Sequence, residues 1–194
     1  MSHPAHARLE TYLTPAEYLA RERSAEAKSE YLDGDVVAMP GSSREHNLIV
    51  TNLVAELRQQ LKGRPDEVYP SDLRIWIPEN RKYTYPDVSV VRGAPSLQDR
   101  FHDTLLNPTV IFEVLSPGTE SYDRGKKFEH YQSIPSLMEY VLVGQLEWRV
   151  EQYSRQRDGS WLLSETTGST GGISLDSIDC RLAMAEIYDK VPVR

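Results

Sequence analysis

The chain has 194 residues, 39% of them hydrophobic, and its 29 acids against 22 lysines and arginines leave a formal charge of −7. That length suits one domain with a sizeable core, while the acidic balance excludes a protein that coats or packages nucleic acid by non-specific electrostatics. No run approaches the roughly 20 apolar residues of a membrane span, the N-terminal MSHPAHARLETYL lacks the apolar segment of a secretory signal, and a lone cysteine, Cys180, excludes an intrachain disulfide framework and any multi-cysteine zinc site. The expectation is a cytoplasmic protein with no membrane association.

In chain order, Pro15 to about Ala27 reads as a short amphipathic helix with Tyr18 and Leu19 as its buried positions. Glu30-Tyr31-Leu32 runs into Asp33-Gly34, a strong hairpin-turn signal, and Asp35 to Met39 is the returning strand. Ser42 with Glu45 three residues later predicts a capping box. It opens a helix whose apolar face is Ile49, Leu53, Leu57 and Leu61, ended by Gly63-Arg64-Pro65.

The middle of the chain is β-rich. Leu73, Ile75 and Ile77 alternate with Arg74 and Trp76. After a turn at Pro78-Glu79-Asn80, Tyr83 to Val91 predicts the next strand, with Pro86 marking an edge or a bulge just before Asp87. A loop from Arg92 to about Asn107 leads into VIFEVL at Val110–Leu115, an apolar run interrupted by Glu113. Ser116-Pro117-Gly118 breaks that strand, and a helix restarts near Asp123, with Lys127 one turn on and Phe128 and Tyr131 three apart.

Met138 to Val143 predicts another strand, and Trp148–Tyr153 with Trp161–Ser164 a hairpin about Asp158-Gly159. A glycine- and serine-rich loop follows, then a final helix from Leu182 to Tyr188. There is no internal repeat and no linker that would divide the chain. The expectation is a single domain over 1–194, with a core of about 30–188 and an N-terminal extension at 1–14. Its class is α/β or α+β, a mixed β-sheet flanked by helices with extra β-hairpins.

Asp87, Glu113 and Lys127 are the groups whose meeting would carry chemistry. An acid inside an apolar run is desolvated and needs a partner, and two carboxylates on neighbouring strands repel unless a cation or proton sits between them. Mg²⁺ is held by one or two carboxylates together with water and phosphate oxygens. A lysine alongside can orient a water or neutralise developing charge. The competing reading is structural, with acids at strand ends facing water or forming modest ion pairs. His46 and Asn47, at the start of the long helix, read as cap-region residues. Asp123 is expected as a helix N-cap, with pairing to Arg124 or Lys126 as its alternative. Ser116 has no base at a useful spacing, which excludes a serine-hydrolase reading.

YPDVSVV at Tyr85–Val91 and FEVLSPGTESYDRGKKFEHYQSIPSLMEYVLV at Phe112–Val143 resemble the bacterial Uma-two family of endonucleases, within the PD-(D/E)XK phosphodiesterase superfamily. EYLDGDVVAMPGSSREHN at Glu30–Asn47 and SDLRIW at Ser71–Trp76 fit the family's upstream pattern, so the likeness runs from about Glu30 to Tyr188. The resemblance implies a restriction-endonuclease-like fold and Mg²⁺-dependent hydrolysis of DNA, with Mn²⁺ as a substitute metal and a homodimer as a plausible assembly. It implies Asp87 and Glu113 as metal ligands. The superfamily's usual lysine, two residues after the glutamate, is Leu115 here, so the role falls to Lys127 on the following helix or the site is inactive. Glu30 resembles the family's extra N-terminal acid, a candidate to help hold the metal or its waters. His46 is placed near the site, and Arg124 and Lys126 are candidate phosphate contacts. The alternative function is a catalytically inactive nuclease-fold domain that binds nucleic acid or a protein partner.

Overall fold

The computed structural model describes residues 12–193, so most of the expected N-terminal extension lies outside the described residues. Helix α1 (Pro15–Glu22) opens on a full capping box between Thr14 and Glu17 and ends five residues short of the expected Ala27. It stops because Glu22 turns inward: its carboxylate accepts from the Ser29 N–H at 2.8 Å and from the Ser29 hydroxyl, tying the helix end to the next strand. Strands β1 (Ser29–Leu32) and β2 (Asp35–Ala38) form the expected hairpin. Asp33 and Gly34 both have positive φ, 42° and 103°, as a tight primed turn requires.

Helix α2 (Arg44–Gln60) buries Ile49, Leu53 and Leu57 as the spacing predicts. Its N-cap is Ser43 rather than Ser42, with the Ser43 hydroxyl accepting from the His46 N–H at 3.1 Å. Beyond it lie β3 (Glu67–Pro70), β4 (Arg74–Ile77), β5 (Lys82–Thr84) and β6 (Val88–Val91). The single strand expected over Tyr83–Val91 is thus two strands, and they belong to different sheets. Proline has no N–H for a ladder, and the chain crosses from one sheet to the other at Pro86.

Within the expected loop is a short strand, β7 (Thr104–Leu105), parallel to β4. Then come β8 (Val110–Leu115) and a helical segment of three parts: α3 (Glu120–Tyr122), a π-helical turn (Asp123–Lys127) and α4 (Phe128–Gln132). Strands β9 (Glu139–Gly144), β10 (Arg149–Arg155) and β11 (Trp161–Thr167) follow as a meander. Of the C-terminal helix expected over Leu182–Tyr188, Met184–Ile187 is helical, but Leu182 and Ala183 belong to a strand. β12 (Gly172–Leu175) pairs with β13 (Cys180–Ala183), with Ile173 and Leu182 inward as a hairpin pair, and α5 (Met184–Ile187) follows.

The architecture is mixed α+β. A six-stranded sheet runs β11-β10-β9-β8-β6-β3, and a five-stranded sheet runs β2-β1-β5-β4-β7. β8 and β9 are parallel, joined through the three-part helix. Strand β8 is buried along its whole length and alternates between two cores. Val110, Phe112 and Val114 pack with α2 and α5, while Ile111 and Leu115 pack with Phe128, Tyr131 and Tyr140. Glu113 shares the parity of this second set, so it points toward the helix that follows. Among the described residues no helix is long and apolar enough to cross a membrane.

Candidate active site

Asp87 lies one residue before β6. The antiparallel register sets Val88 opposite Phe112, and continued outward it would set Pro86 opposite Val114. The Asp87 carboxylate takes over there, its Oδ2 accepting the Val114 N–H at 2.7 Å. The same oxygen lies 3.0 Å from His46 Nε2, on the first turn of α2. Asp87 is thereby fixed against the residue that follows Glu113, and both acids line one cleft.

Glu113 is 3% exposed. Its Oε1 accepts from the Tyr131 hydroxyl at 3.0 Å and lies 2.8 Å from Lys127 Nζ. Burial pushes its carboxyl well above the ordinary carboxylate range, Lys127 pulls the other way, and Asp87 and Asp123 add to the rise. Lys127 is itself buried, which disfavours its charge, yet Glu113, Glu30 and Asp123 outweigh that and hold the ammonium protonated. Besides Glu113, it reaches Asp123 Oδ1 at 3.5 Å and Glu30 Oε1 at 3.8 Å.

Asp123 and Lys127, four residues apart, face inward together as neighbours on one helix face do, 3% and 6% exposed, and the π-helical turn that spans them inserts an extra residue into the helix. Asp123 is therefore inside the helix rather than at its N-cap, and its partner is Lys127 rather than Arg124 or Lys126. Burial raises its carboxyl above the usual value.

Glu30 stands behind Lys127 and outside the lining of the cleft. It accepts from the Thr84 hydroxyl and pairs with Lys82 Nζ at 3.2 Å. Burial would raise its carboxyl, but Lys82 and Lys127 prevail and bring it down to about 2. The cleft itself, about 270 Å³, is walled by Met39–Ser43, His46, Tyr85, Ser116, Thr119 and Gln145 around Asp87, Glu113, Asp123 and Lys127.

Of the other candidate residues, His46 lines the cleft, while Arg124 and Lys126 lie outside its lining. Arg124 is bound to Glu120 at 2.9 Å and to Glu151. Lys126 is exposed, and His46 is committed to Asp87. The Ser116 hydroxyl pairs with Thr119 Oγ1 at 3.0 Å, not with a general base. Sequence reasoning missed Tyr131, Thr84, Lys82 and Gln145. Tyr131 was legible as a helix-face residue, but a buried lysine at position 82 has no local signature.

The donor set suits a hard divalent cation. Three acids and one ammonium line the cleft, so full ionisation leaves unbalanced negative charge that either a proton or a cation relieves. Among the described residues no three His, Cys, Asp or Glu side chains form a ready-made cage. A cation held by Asp87 and Glu113 would complete its shell with water and phosphate oxygens.

The chain is similar to known proteins. Residues 15–185 match the Uma2 family model, described as "Putative restriction endonuclease". Two proteins of Synechocystis sp. (strain PCC 6803) are similar. "Uncharacterized protein sll1609" is 40% identical over 161 residues, 83% of this chain and 91% of its own length. "Uncharacterized protein slr1290" is 38% identical over 177 residues, 91% of each. In fold, the chain resembles the crystal structure of "a putative nuclease belonging to DUF820" from Anabaena variabilis ATCC 29413. The TM-score is 0.75 at 19% identity, covering 92% of this chain and 99% of that one.

Proposed function

The chain belongs to the Uma2 family, and from that membership we propose that it is a metal-dependent endonuclease hydrolysing phosphodiester bonds of DNA. The observation that carries the reading is the convergence of Asp87, Glu113 and Lys127 on one cleft, with Lys127 Nζ 2.8 Å from Glu113. Asp87 and Glu113 would hold Mg²⁺, or Mn²⁺ in its place. When bound, such an ion activates a water for attack and stabilises charge on the phosphoryl oxygens.

The chain's own residues supply the rest. His46 and the Val114 amide fix the rotamer of Asp87, and Tyr131 fixes Glu113. This is the supporting layer that a two-carboxylate site needs. Lys127 stays protonated, so it acts as a cation that orients the nucleophile and offsets charge developing on the phosphoryl group, not as a general base. It reaches the site from the helix because position 115 is a leucine packed in the second core. Glu30, removed from the cleft, serves through Lys127.

Calorimetric titration of Mn²⁺ and Mg²⁺ tests the reading. Saturable binding is expected, lost in Asp87→Asn and in Glu113→Gln, with cleavage of plasmid or oligonucleotide DNA lost in the same variants and in Lys127→Met. Cleavage that persists in Asp87→Asn would overturn it. The rival reading is an inactive domain of the same fold that binds nucleic acid or protein. It rests on Leu115 and on how tightly Lys127 is bound by acids, and it predicts binding that survives all three substitutions.

A further inference from the structure

Lys127 has a choice of acids. Glu113, Asp123 and Glu30 lie at 2.8, 3.5 and 3.8 Å from its ammonium, and a lysine stem is flexible enough to cover the 1 Å between the nearest and the farthest. Contact with Glu113 keeps it in the cleft. Contact with Glu30 would draw it back into the body of the protein, since Glu30 does not line the cleft.

Something holds Glu30 from competing, and the structure shows one candidate. Lys82, in β5, has none of its surface exposed. Its ammonium sits 3.2 Å from Glu30 Oε2 and donates to the Tyr122 hydroxyl, with the Tyr122 ring 4.9 Å away. The two lysines divide Glu30 between them, Lys82 on Oε2 and Lys127 facing Oε1, the oxygen that already accepts from Thr84. A buried ammonium is costly, and the fold places this one against an acid whose other neighbour is the site lysine.

We propose that Lys82 is a positioning residue: by neutralising Glu30 it leaves Lys127 bound to Glu113 at the mouth of the site. The proposal rests on the reading of Glu113 and Lys127 as the reactive pair, but its test does not depend on a substrate. In Lys82→Met, Glu30 would be a buried carboxylate with only Thr84 and Lys127 to satisfy it, and Lys127 would move to it. Glu113 would then lose its covering ammonium.

Crystal structures of the wild type and Lys82→Met, with Mn²⁺ titrations of both, decide the matter. In the variant, Lys127 Nζ is expected nearer Glu30 than Glu113, and Mn²⁺ is expected to bind several-fold more tightly because a competing cation has left Glu113. Lys82→Arg should keep the wild-type arrangement. The double change Glu30→Gln with Lys82→Met should restore both the Lys127–Glu113 contact and the wild-type Mn²⁺ affinity. A folded Lys82→Met in which Lys127 remains on Glu113 overturns the proposal. If Lys82→Met does not fold, the double variant decides. Recovery of a folded protein with wild-type geometry supports charge compensation, and failure of both assigns Lys82 to packing alone. A wild type that takes up no Mn²⁺ would count against the metal-dependent reading, while the crystallographic comparison would still judge Lys82.

Discussion

At the scale of single residues, Glu113 is the group the fold treats least kindly. Its carboxyl is buried against Asp87 and Asp123, and its proton affinity rises well above the ordinary value of 4.5 despite Lys127. A carboxyl of raised folded-state pKa binds more protons folded than unfolded, so stability falls as pH rises from about 4.5 through the raised value. Asp123 shifts the same way. The wild type should therefore melt at a lower temperature at about pH 8 than at about pH 5. Glu113→Gln should flatten that decline, and millimolar Mn²⁺ should remove much of it in the wild type. Melting curves at the two pH values, with and without metal, check this.

Glu113 was legible in the sequence because an acid between Phe112 and Val114 must be desolvated, and Asp87 because a proline before it breaks the strand. Glu30 was legible by resemblance, but its place behind Lys127 was not. Lys82 was invisible. It precedes the strand expected from Tyr83, and the acid that explains it, Glu30, lies on another strand, distant in sequence.

At the scale of elements, two irregularities assemble the site. The break at Pro86 frees Asp87 from the ladder, and the π turn adds a residue to the segment that carries Asp123 and Lys127. Neither follows from periodicity. The spacing of Phe128 and Tyr131 shows a helix but not the inserted residue within it, and strands as short as β7 fall below what a pattern can reveal. The expected C-terminal helix starts two residues early, because the pairing of Leu182 and Ala183 with β12 is invisible to a local pattern.

Deleting Gly125, which has no neighbour within 4 Å of where a Cβ would stand, should convert the π turn to α geometry. The segment before it would rotate by about 100°. Asp123 would turn away from the cleft, and Arg124 would leave Glu151. The expected result is a folded protein destabilised by about 1–3 kcal/mol, the range of an ordinary substitution, with Mn²⁺ affinity clearly weakened. Urea unfolding and calorimetry on the deletion variant would show both, and an unchanged metal affinity would deny the π turn its role in the site.

At the scale of the whole molecule, charge sets how a nucleic acid can approach. The chain carries a formal −7, and Lys127 is the one cation lining the described cleft, itself bound to Glu113. Few ammonium or guanidinium groups are free there to displace counterions from a phosphate backbone. DNA binding should therefore require a divalent ion, with retention in Ca²⁺ and loss in a chelator. Its affinity should depend only weakly on monovalent salt, in contrast to the steep slope of a basic binder. Gel-shift titrations over a range of salt check both. The overall class was legible from the alternation of strand and helix signals, and the family from the blocks around Asp87 and Glu113. Sheet order was not, because pairings such as β8 with β9 are made across the helix between them.

The bond from the Val114 N–H to Asp87 has a further consequence. That amide belongs to the central strand, yet its acceptor is a side chain that also answers to whatever occupies the cleft. A cation drawing on Asp87 would fix the carboxylate and suppress the local openings through which an amide exchanges its hydrogen. The central strand would thus carry a built-in reporter: the deuterium uptake of one backbone position, read against other positions of the same strand, would register occupancy of the site without any label or substrate.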